Sequence, residues 1–248
     1  MCEVAVIIPY KDNKDYLFKA IESVLIQSNK KFEIKIIYDN EDKADLHFIK
    51  QYIFNKNLNR KFKIRIFVNK KNIGAGRSRN VGIKLSKTKY VAFLDSDDVW
   101  HKDKLKLQTI FMKKNNIPIS HTAFNIVDKF GKKITERLSK KKLYYKDILN
   151  SCDIGLSTVM VDRNFLKKNK FLFPSIRTKE DYVLWLKILK KTGYIMGLNK
   201  KLTNYRKLEK SLSSSRILSL INGYKVYKNY MKMGHIESLF RLIILSFN

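Results

Sequence analysis

Three short stretches of this sequence carry side chains whose types and spacing could do chemistry. The first is Asp95-Ser96-Asp97-Asp98, with three carboxylates in four residues. Such groups repel one another unless they are solvated or hold a cation, and the alternation of an extended chain lets Asp95 and Asp97 point the same way. Hard divalent ions such as Mg2+ or Mn2+ take carboxylate oxygens together with substrate phosphates. The plainer reading is a turn that caps a helix near Lys102. The second stretch runs Asn72-Ile73-Gly74-Ala75-Gly76-Arg77-Ser78-Arg79-Asn80. Its glycines let backbone approach a ligand, a following helix N-terminus favours phosphate, and Arg77 and Arg79 could reach diphosphate oxygens. Alone, this Gly-x-Gly is neither a complete dinucleotide fingerprint nor a P-loop lysine motif, and a plain turn is the default. The third stretch is Glu180-Asp181, which opens a helical pattern of Val183, Leu184, Trp185, Ile188 and Leu189. Acidic residues in a first turn suit the helix dipole; the functional alternative is a general base. Tyr205-Arg206 reads equally as a structural pair or a phosphate contact. His47, His101, His121 and His235 lack metal-ligand spacing.

Positioning these groups falls to an alternation of strands and helices. The continuous apolar run at 4–8 and the mainly apolar stretches at 34–38, 64–68 and 90–94 predict strands, the first ended by Pro9 and the last running straight into the acidic residues. Between them, Leu17, Ala20, Ile21, Val24 and Leu25, then Leu46, Ile49 and Ile53, recur at helical spacing, and 77–85 reads as a third helix. This order predicts a mixed, mainly parallel sheet with helices on both faces. Ligands of such sheets bind beyond the carboxyl ends of the strands. Pro9, Tyr10, Asp39, residues 69–76 and residues 95–98 lie at those ends. After Trp100 the pattern loosens. A helix at 105–112, strands at 119–127 and 157–161, a helix at 181–191 stopped by Gly193, an extended segment at 194–205 and helix from 213 to 247, with Gly223 and Gly234 as possible interruptions, complete the expectation.

Composition narrows the classes. The chain has 248 residues, 44% of them hydrophobic, and only 9 Gly and 3 Pro, which suits a packed globular protein without a Gly/Pro-rich linker. Its net charge of +30 is spread along the whole chain and is predominantly lysine. A nucleic-acid binder concentrates its charge, often with arginine forks. Compositional bias and attraction to an anionic membrane or phosphate-bearing substrate are the alternative origins. Cys2 and Cys152 form no metal or disulfide pattern, no window approaches the ~20 apolar residues of a membrane span, and the N-terminus lacks a signal-peptide pattern. A cytoplasmic protein able to touch the inner face of the cytoplasmic membrane is the resulting expectation.

Taken in order, these segments resemble the family 2 glycosyltransferases, which have the Rossmann-like GT-A fold. Residues 4–13 are similar to the family's first strand and donor loop, Ile36-Ile37-Tyr38-Asp39 to its second strand with the acidic residue that reads the nucleotide base, and residues 72–83 to the loop and helix lining the donor. Residues 90–100 resemble the strand with the DxD-type motif, and residues 180–186 the segment bearing the catalytic base. The resemblance implies that Asp181 is the base. It places Pro9, Tyr10, Asp39, Gly74, Arg77, Arg79, Asp95 and Ser96 around a nucleotide-diphosphate sugar, and Asp97 with Asp95 on Mn2+ or Mg2+. Asp98 is left to cap the next helix. Where many relatives carry a histidine after the Tyr-Arg pair, this chain has Leu208, so Lys207 or Lys210 would supply positive charge there. The processive Gln-x-x-Arg-Trp motif is absent from the sequence.

The expected activity is inverting transfer of a single sugar from a UDP-linked donor to a glycan or lipid-linked acceptor in bacterial surface polysaccharide or lipooligosaccharide biosynthesis. A nucleotidyltransferase would want a glycine-rich basic loop after the first strand, where Pro9-Tyr10-Lys11-Asp12 stands. A non-enzymatic basic binding module leaves Asp39, Asp95, Asp97 and Asp181 without a purpose. The expected domain plan is a transferase domain over 1–212, with a nucleotide-sugar half at 1–100 and an acceptor half at 101–212, followed by a helical extension at 213–248. The aromatic and apolar residues of that extension suit either a membrane surface or a dimer contact.

Overall fold

The computed structural model describes residues 2–56, 58–208 and 216–247. Its N-terminal half runs β1 (Val4–Tyr10), α1 (Lys14–Leu25), β2 (Phe32–Tyr38), α2 (Ala44–Asn55), α3 (Leu58–Lys61), β3 (Lys63–Val68), α4 (Ala75–Leu85) and β4 (Tyr90–Phe93). There follow β5 (Val99–Trp100), α5 (Lys104–Lys114), β6 (Ile119–Val127), β7 (Lys133–Arg137), β8 (Lys142–Tyr144) and α6 (Tyr145–Asn150). The chain then forms β9 (Met160–Asp162), α7 (Arg163–Lys168), α8 (Glu180–Thr192), β10 (Tyr194–Arg206), α9 (Arg216–Lys225) and α10 (His235–Phe247). The expected boundary at 212/213 and Lys210 lie outside the described residues.

The sheet order is β3-β2-β1-β4-β9-β6-β10-β5, with β7 on β6 and β8 on β10. The β3-β2-β1-β4 half is parallel throughout, whereas β9 runs antiparallel to both β4 and β6. Strand order reverses between β1 and β4, which opens the crevice that α/β sheets use for ligands. Alternation along the strands sorts the core into two layers. Val4, Val6, Ile8 and Tyr10 of β1 pack with Leu17, Ile21, Ile49 and Leu105 from α1, α2 and α5. Ala5 and Ile7 face the other way, onto Ile83 of α4 and the apolar side of α8.

Three expectations are corrected here. The first strand passes through Pro9 to Tyr10, paired with Ile37 and Tyr38 of β2. On the opposite side the register with β4 ends at Ile7 opposite Phe93, so the missing proline N–H falls past the last ladder position. Gly223 does not interrupt α9; a Cβ there would sit 2.7 Å from Leu242 Cδ1, so its bare backbone admits α10. The expected strand at 157–161 is shorter, a 3-10 turn at Leu156–Thr158 preceding β9.

One glycine sets how closely α4 seats on the sheet. A Cβ on Gly82 would lie 2.5 Å from Ile7 Cγ2 and 3.0 Å from Ile7 Cγ1. Gly82→Ala is therefore expected to destabilise the fold by about 1–3 kcal/mol through overpacking, read from urea unfolding. An unchanged midpoint would mean that α4 can lift off β1 freely.

Candidate active site

The crevice is assembled first from backbone amides. Beyond β2, the Asp39 N–H donates to the Tyr10 carbonyl at 2.7 Å, which carries the strand pairing one step past the ladder. The buried Asp39 carboxylate then gathers the facing loop. Ile73 N–H donates to Oδ1 at 2.9 Å, Gly74 N–H to Oδ2 at 2.8 Å and Asn69 Nδ2 to Oδ1 at 2.8 Å. The same Asn69 amide reaches Ser78 Oγ at 2.9 Å. Gly74, at φ 86° and ψ 157°, supplies the turn conformation that aims its amide at this carboxylate. The Gly74 amide, expected to face a ligand, is thus committed to Asp39, and Asp39 itself first serves as the clamp of the 69–74 loop. Pro9 and Tyr10 are buried in β1. The Tyr10 hydroxyl donates to Asp45 Oδ2 at 2.5 Å, and burial, reinforced by that carboxylate, pushes its ionisation far up.

The three carboxylates after β4 meet three different environments. Asp95 N–H donates to Ser157 Oγ at 3.0 Å, and Asp98 N–H closes a turn onto the Asp95 carbonyl at 3.1 Å. Asp95 Oδ1 accepts from Arg79 Nη2 at 2.7 Å, with 28% of the side chain exposed. Asp97 is half-buried; burial first, then the charge of Asp95, push its carboxyl up to about 6 against the pull of Arg206. Asp98 is buried, and its Oδ1 accepts the Arg206 N–H at 2.8 Å. Burial and its two acidic neighbours raise it well above the ordinary range. The expected cap is therefore corrected: α5 starts at Lys104 after Asp103, and Asp98 instead anchors the end of β10. Ser96 is half-exposed within the turn.

Arg206 resolves as a structural residue. Its Nε donates to the Asp97 carbonyl at 2.9 Å, and Nη1 to the carbonyls of Asp128 and Lys129 at 3.0 and 2.9 Å. The guanidinium lies 4.8 Å from the Tyr16 ring centroid. It thus pins the acidic turn to β10 and to the 128–131 turn.

Arg79 also has an unexpected setting. Only 5% of its side chain is exposed, and it spans Asp95 through Nη2 and Glu180 Oε1 through Nη1, both at 2.7 Å. Its guanidinium stacks 5.5 Å from the Phe173 ring centroid. The approach of α4 to α8 depends on Gly76, where a Cβ would lie 2.8 Å from Glu180 Cγ. Asn80 closes the contact with paired bonds to Phe173, donating to its carbonyl at 2.8 Å and accepting its N–H at 3.0 Å. Of the two arginines expected near a diphosphate, Arg77 is exposed and Arg79 is consumed by this bridge.

On the far side of the bridge sits Asp181, in the first turn of α8. Its Oδ1 accepts the Tyr182 N–H at 2.7 Å. Burial, then repulsion from Glu180, push its carboxyl up to about 7, while Arg79 pulls the other way and the charge of Asp95 adds to the rise. Asp95, Asp97, Glu180 and Asp181 therefore form one electrostatic unit at the carboxyl edge of the parallel strands. Glu180, Asn69, Ser157 and Asn80 had no assigned role in the sequence. Glu180 carried a signal as Asp181's acidic neighbour, Asn69 and Asn80 lay in the segments singled out at 69–76 and 72–80, and Ser157 carried none.

Among the described residues, no group of three or more His, Cys, Asp or Glu side chains is arranged to hold a metal ion. The donor set at Asp95 and Asp97 suits a hard divalent cation whose remaining ligands are substrate phosphate oxygens and water. The raised carboxyl of Asp97 is consistent with a charge that such a cation would offset.

Comparisons with known proteins agree with this fold. The model of glycosyl transferase family 2 matches residues 5–172. An uncharacterised glycosyltransferase of Rickettsia felis is 39% identical over 82% of this chain, which spans 33% of that protein's length. TuaG of Bacillus subtilis, assigned to teichuronic acid biosynthesis, is 32% identical, with 95% of this chain and 91% of TuaG covered. WfgD of Escherichia coli, a UDP-Glc:alpha-D-GlcNAc-diphosphoundecaprenol beta-1,3-glucosyltransferase, is 30% identical, with 98% and 92% covered. Among solved structures, S. aureus TarS 1–349 in complex with UDP-GlcNAc matches with a TM-score of 0.75 at 22% identity, covering 97% of this chain and 70% of that one. The mannosyltransferase PcManGT from Pyrobaculum calidifontis, in complex with GDP-Man and Mn2+, matches with a TM-score of 0.68 at 12% identity, covering 97% and 69%. At these identities the two structures speak for the fold. Sheet order, crevice and family match converge: the chain is a glycosyltransferase with the GT-A fold and belongs to glycosyl transferase family 2.

Proposed function

We propose that this protein transfers a single sugar, with inversion, from a UDP-linked donor to a hydroxyl of a glycan or lipid-linked acceptor at the cytoplasmic side of a bacterial membrane, in surface polysaccharide or lipooligosaccharide biosynthesis. The observation that carries the reading is the Arg79 bridge, which ties Asp95 beside the crevice to the α8 turn bearing Asp181. The UDP-GlcNAc complex of TarS supports the donor class, and the diphosphoundecaprenol substrate in the name of WfgD supports the acceptor class.

In this reading the Asp181 carboxylate takes the proton of the acceptor hydroxyl. The oxygen attacks the anomeric carbon from the face opposite the nucleotide. The bond from that carbon to the diphosphate oxygen breaks, and the nucleoside diphosphate leaves with the electron pair. A base with a carboxyl near 7 is well matched to neutral pH. Asp97 and Asp95 would hold Mn2+ or Mg2+, which as a Lewis acid offsets charge on the leaving diphosphate. Arg77, exposed in the first turn of α4, and Ser96 would face the donor. Pro9, Tyr10, Asp39 and Gly74 would shape the wall that receives the base and ribose.

Asp97→Ala is expected to weaken UDP binding in the presence of Mn2+ by at least about tenfold, measured by titration calorimetry, with little change in the absence of metal. Equal affinity of variant and wild type with Mn2+ would remove Asp97 from the donor site.

A further inference from the structure

Helix α10 is apolar on two sides. One side is seated on the body of the protein: Ser238 is buried, Leu242 and Leu245 pack on the main core cluster, and Leu242 fits against Gly223 of α9. Arg241 Nη1 donates to Asn150 Oδ1 at 2.9 Å, which fixes the helix to the end of α6. The other side carries Ile236, Leu239, Phe240 and Ile243, which are 87%, 53%, 59% and 57% exposed. Their i, i+3, i+4, i+7 spacing makes one continuous stripe. Leu220 and Ile221 of α9 add two more exposed apolar side chains, at 44% and 47%. The two helices are tied together by a 2.6 Å hydrogen bond between the Tyr224 hydroxyl and His235 Nδ1.

The charge around this face selects its occupant. Over residues 216–247 the basic side chains are Arg216, Lys225, Lys228, Lys232 and Arg241, against the single acid Glu237. Lys225 stands one turn beyond Ile221 on the same side of α9, and both it and Lys232 are exposed. A symmetric contact with a second copy would gather these lysines from both chains at one interface, between chains of net charge +30. An anionic surface meets the same lysines with attraction. At 13 residues α10 is far too short to cross a bilayer, and among the described residues no helix is long and apolar enough to do so.

We propose that the α9–α10 face is a docking surface for the headgroup region of an anionic lipid bilayer. The Ile236, Leu239, Phe240, Ile243 stripe enters the interface, and the flanking lysines lie at the phosphate level. Because α10 is bonded to α6, and α6 packs on α8, docking holds the α8 turn with Asp181 at a fixed orientation to the membrane plane.

The test is flotation of the full chain with phosphatidylcholine vesicles and with vesicles containing about one third phosphatidylglycerol. Binding is expected only to the anionic vesicles, weakened by added salt, and reduced by about tenfold or more in Leu239→Glu/Phe240→Glu. Thermal melting and UDP affinity of that variant should match wild type, because the stripe supports neither the core nor the crevice. The milder Ile236→Gln/Ile243→Gln variant repeats the measurement should the first misfold. Undiminished binding by a folded variant would overturn the proposal. So would absence of binding by wild type, or a concentration-dependent dimer that the variant dissolves. The vesicle readout needs no sugar donor, so its failure is distinct from failure of the transferase reading.

Discussion

Replacing Asp181 by asparagine is expected to lower kcat by about 10²- to 10⁴-fold while leaving the affinity for nucleotide within about twofold. Asparagine keeps the shape of the side chain and can still accept the Tyr182 N–H, so the α8 turn stays in place. What it loses is the ability to take a proton. The wild-type pH profile makes the same claim without a mutation. The active form of a base is deprotonated, so kcat/KM should climb as pH rises through about 7 and then level off. A stability measurement separates this role from a structural one. In the fold Asp181 is held at about 7, above the ordinary carboxylate value of about 4 in an unfolded chain, so folding favours its protonated form. The cost of keeping it ionised is absent below pH ~4, grows between the two values and is complete above about 7. Asp181→Asn should therefore raise the melting temperature at pH 8 and leave it unchanged at pH 4. A variant with full activity, or one less stable at pH 8, would remove Asp181 as the base.

The ease of reading these elements from sequence followed how local their causes are. Apolar residues made β1 to β4 legible: β1, β2 and β4 are buried along their whole length and need no partner information to be recognised, whereas β3 stands at the sheet edge with Lys63, Arg65 and Val68 exposed. Helix α8 and its stop at Gly193, at φ 77°, were equally plain. Glu33 and Lys35 show the limit: charged side chains in a strand suggest solvent, yet both are buried here because they pair at 3.0 Å, with Lys63 joining Glu33 at 3.2 Å. The crevice behaved the same way. Its residue types were legible, since carboxylates clustered at strand ends are unusual whatever they contact. Their division of labour was not, because it depends on residues far away in the chain. Asp98 looked like a helix cap until Arg206 supplied its N–H, 108 residues later. Asp39 looked free for a ligand until Asn69, Ile73 and Gly74 enclosed it. Arg79 looked like a phosphate ligand until Glu180 met it, 101 residues away.

That last residue offers the second large effect. Arg79→Met removes the cation between two carboxylates whose side chains are 28% and 12% exposed, and leaves both without compensation. Breaking a buried pair in this way costs about 3–5 kcal/mol, which urea unfolding would register. Arg79→Lys should recover part of the loss but not all, since a single ammonium cannot span Asp95 and Glu180 as the planar fork does. Adding Glu180→Gln to Arg79→Met removes one of the stranded charges, so the double variant should be more stable than Arg79→Met alone, and the cycle measures their coupling. The decisive readout is the pH profile of any soluble variant. Arg79 lowers the Asp181 carboxyl and Glu180 raises it. Loss of Arg79 should therefore move the limb of kcat/KM to higher pH, and neutralising Glu180 should bring it back down. A direct phosphate ligand would behave otherwise, with a higher KM for the donor, a limb that stays near 7 and stability close to wild type. That second pattern would return Arg79 to the donor and take away the bridge that joins the two halves of the site.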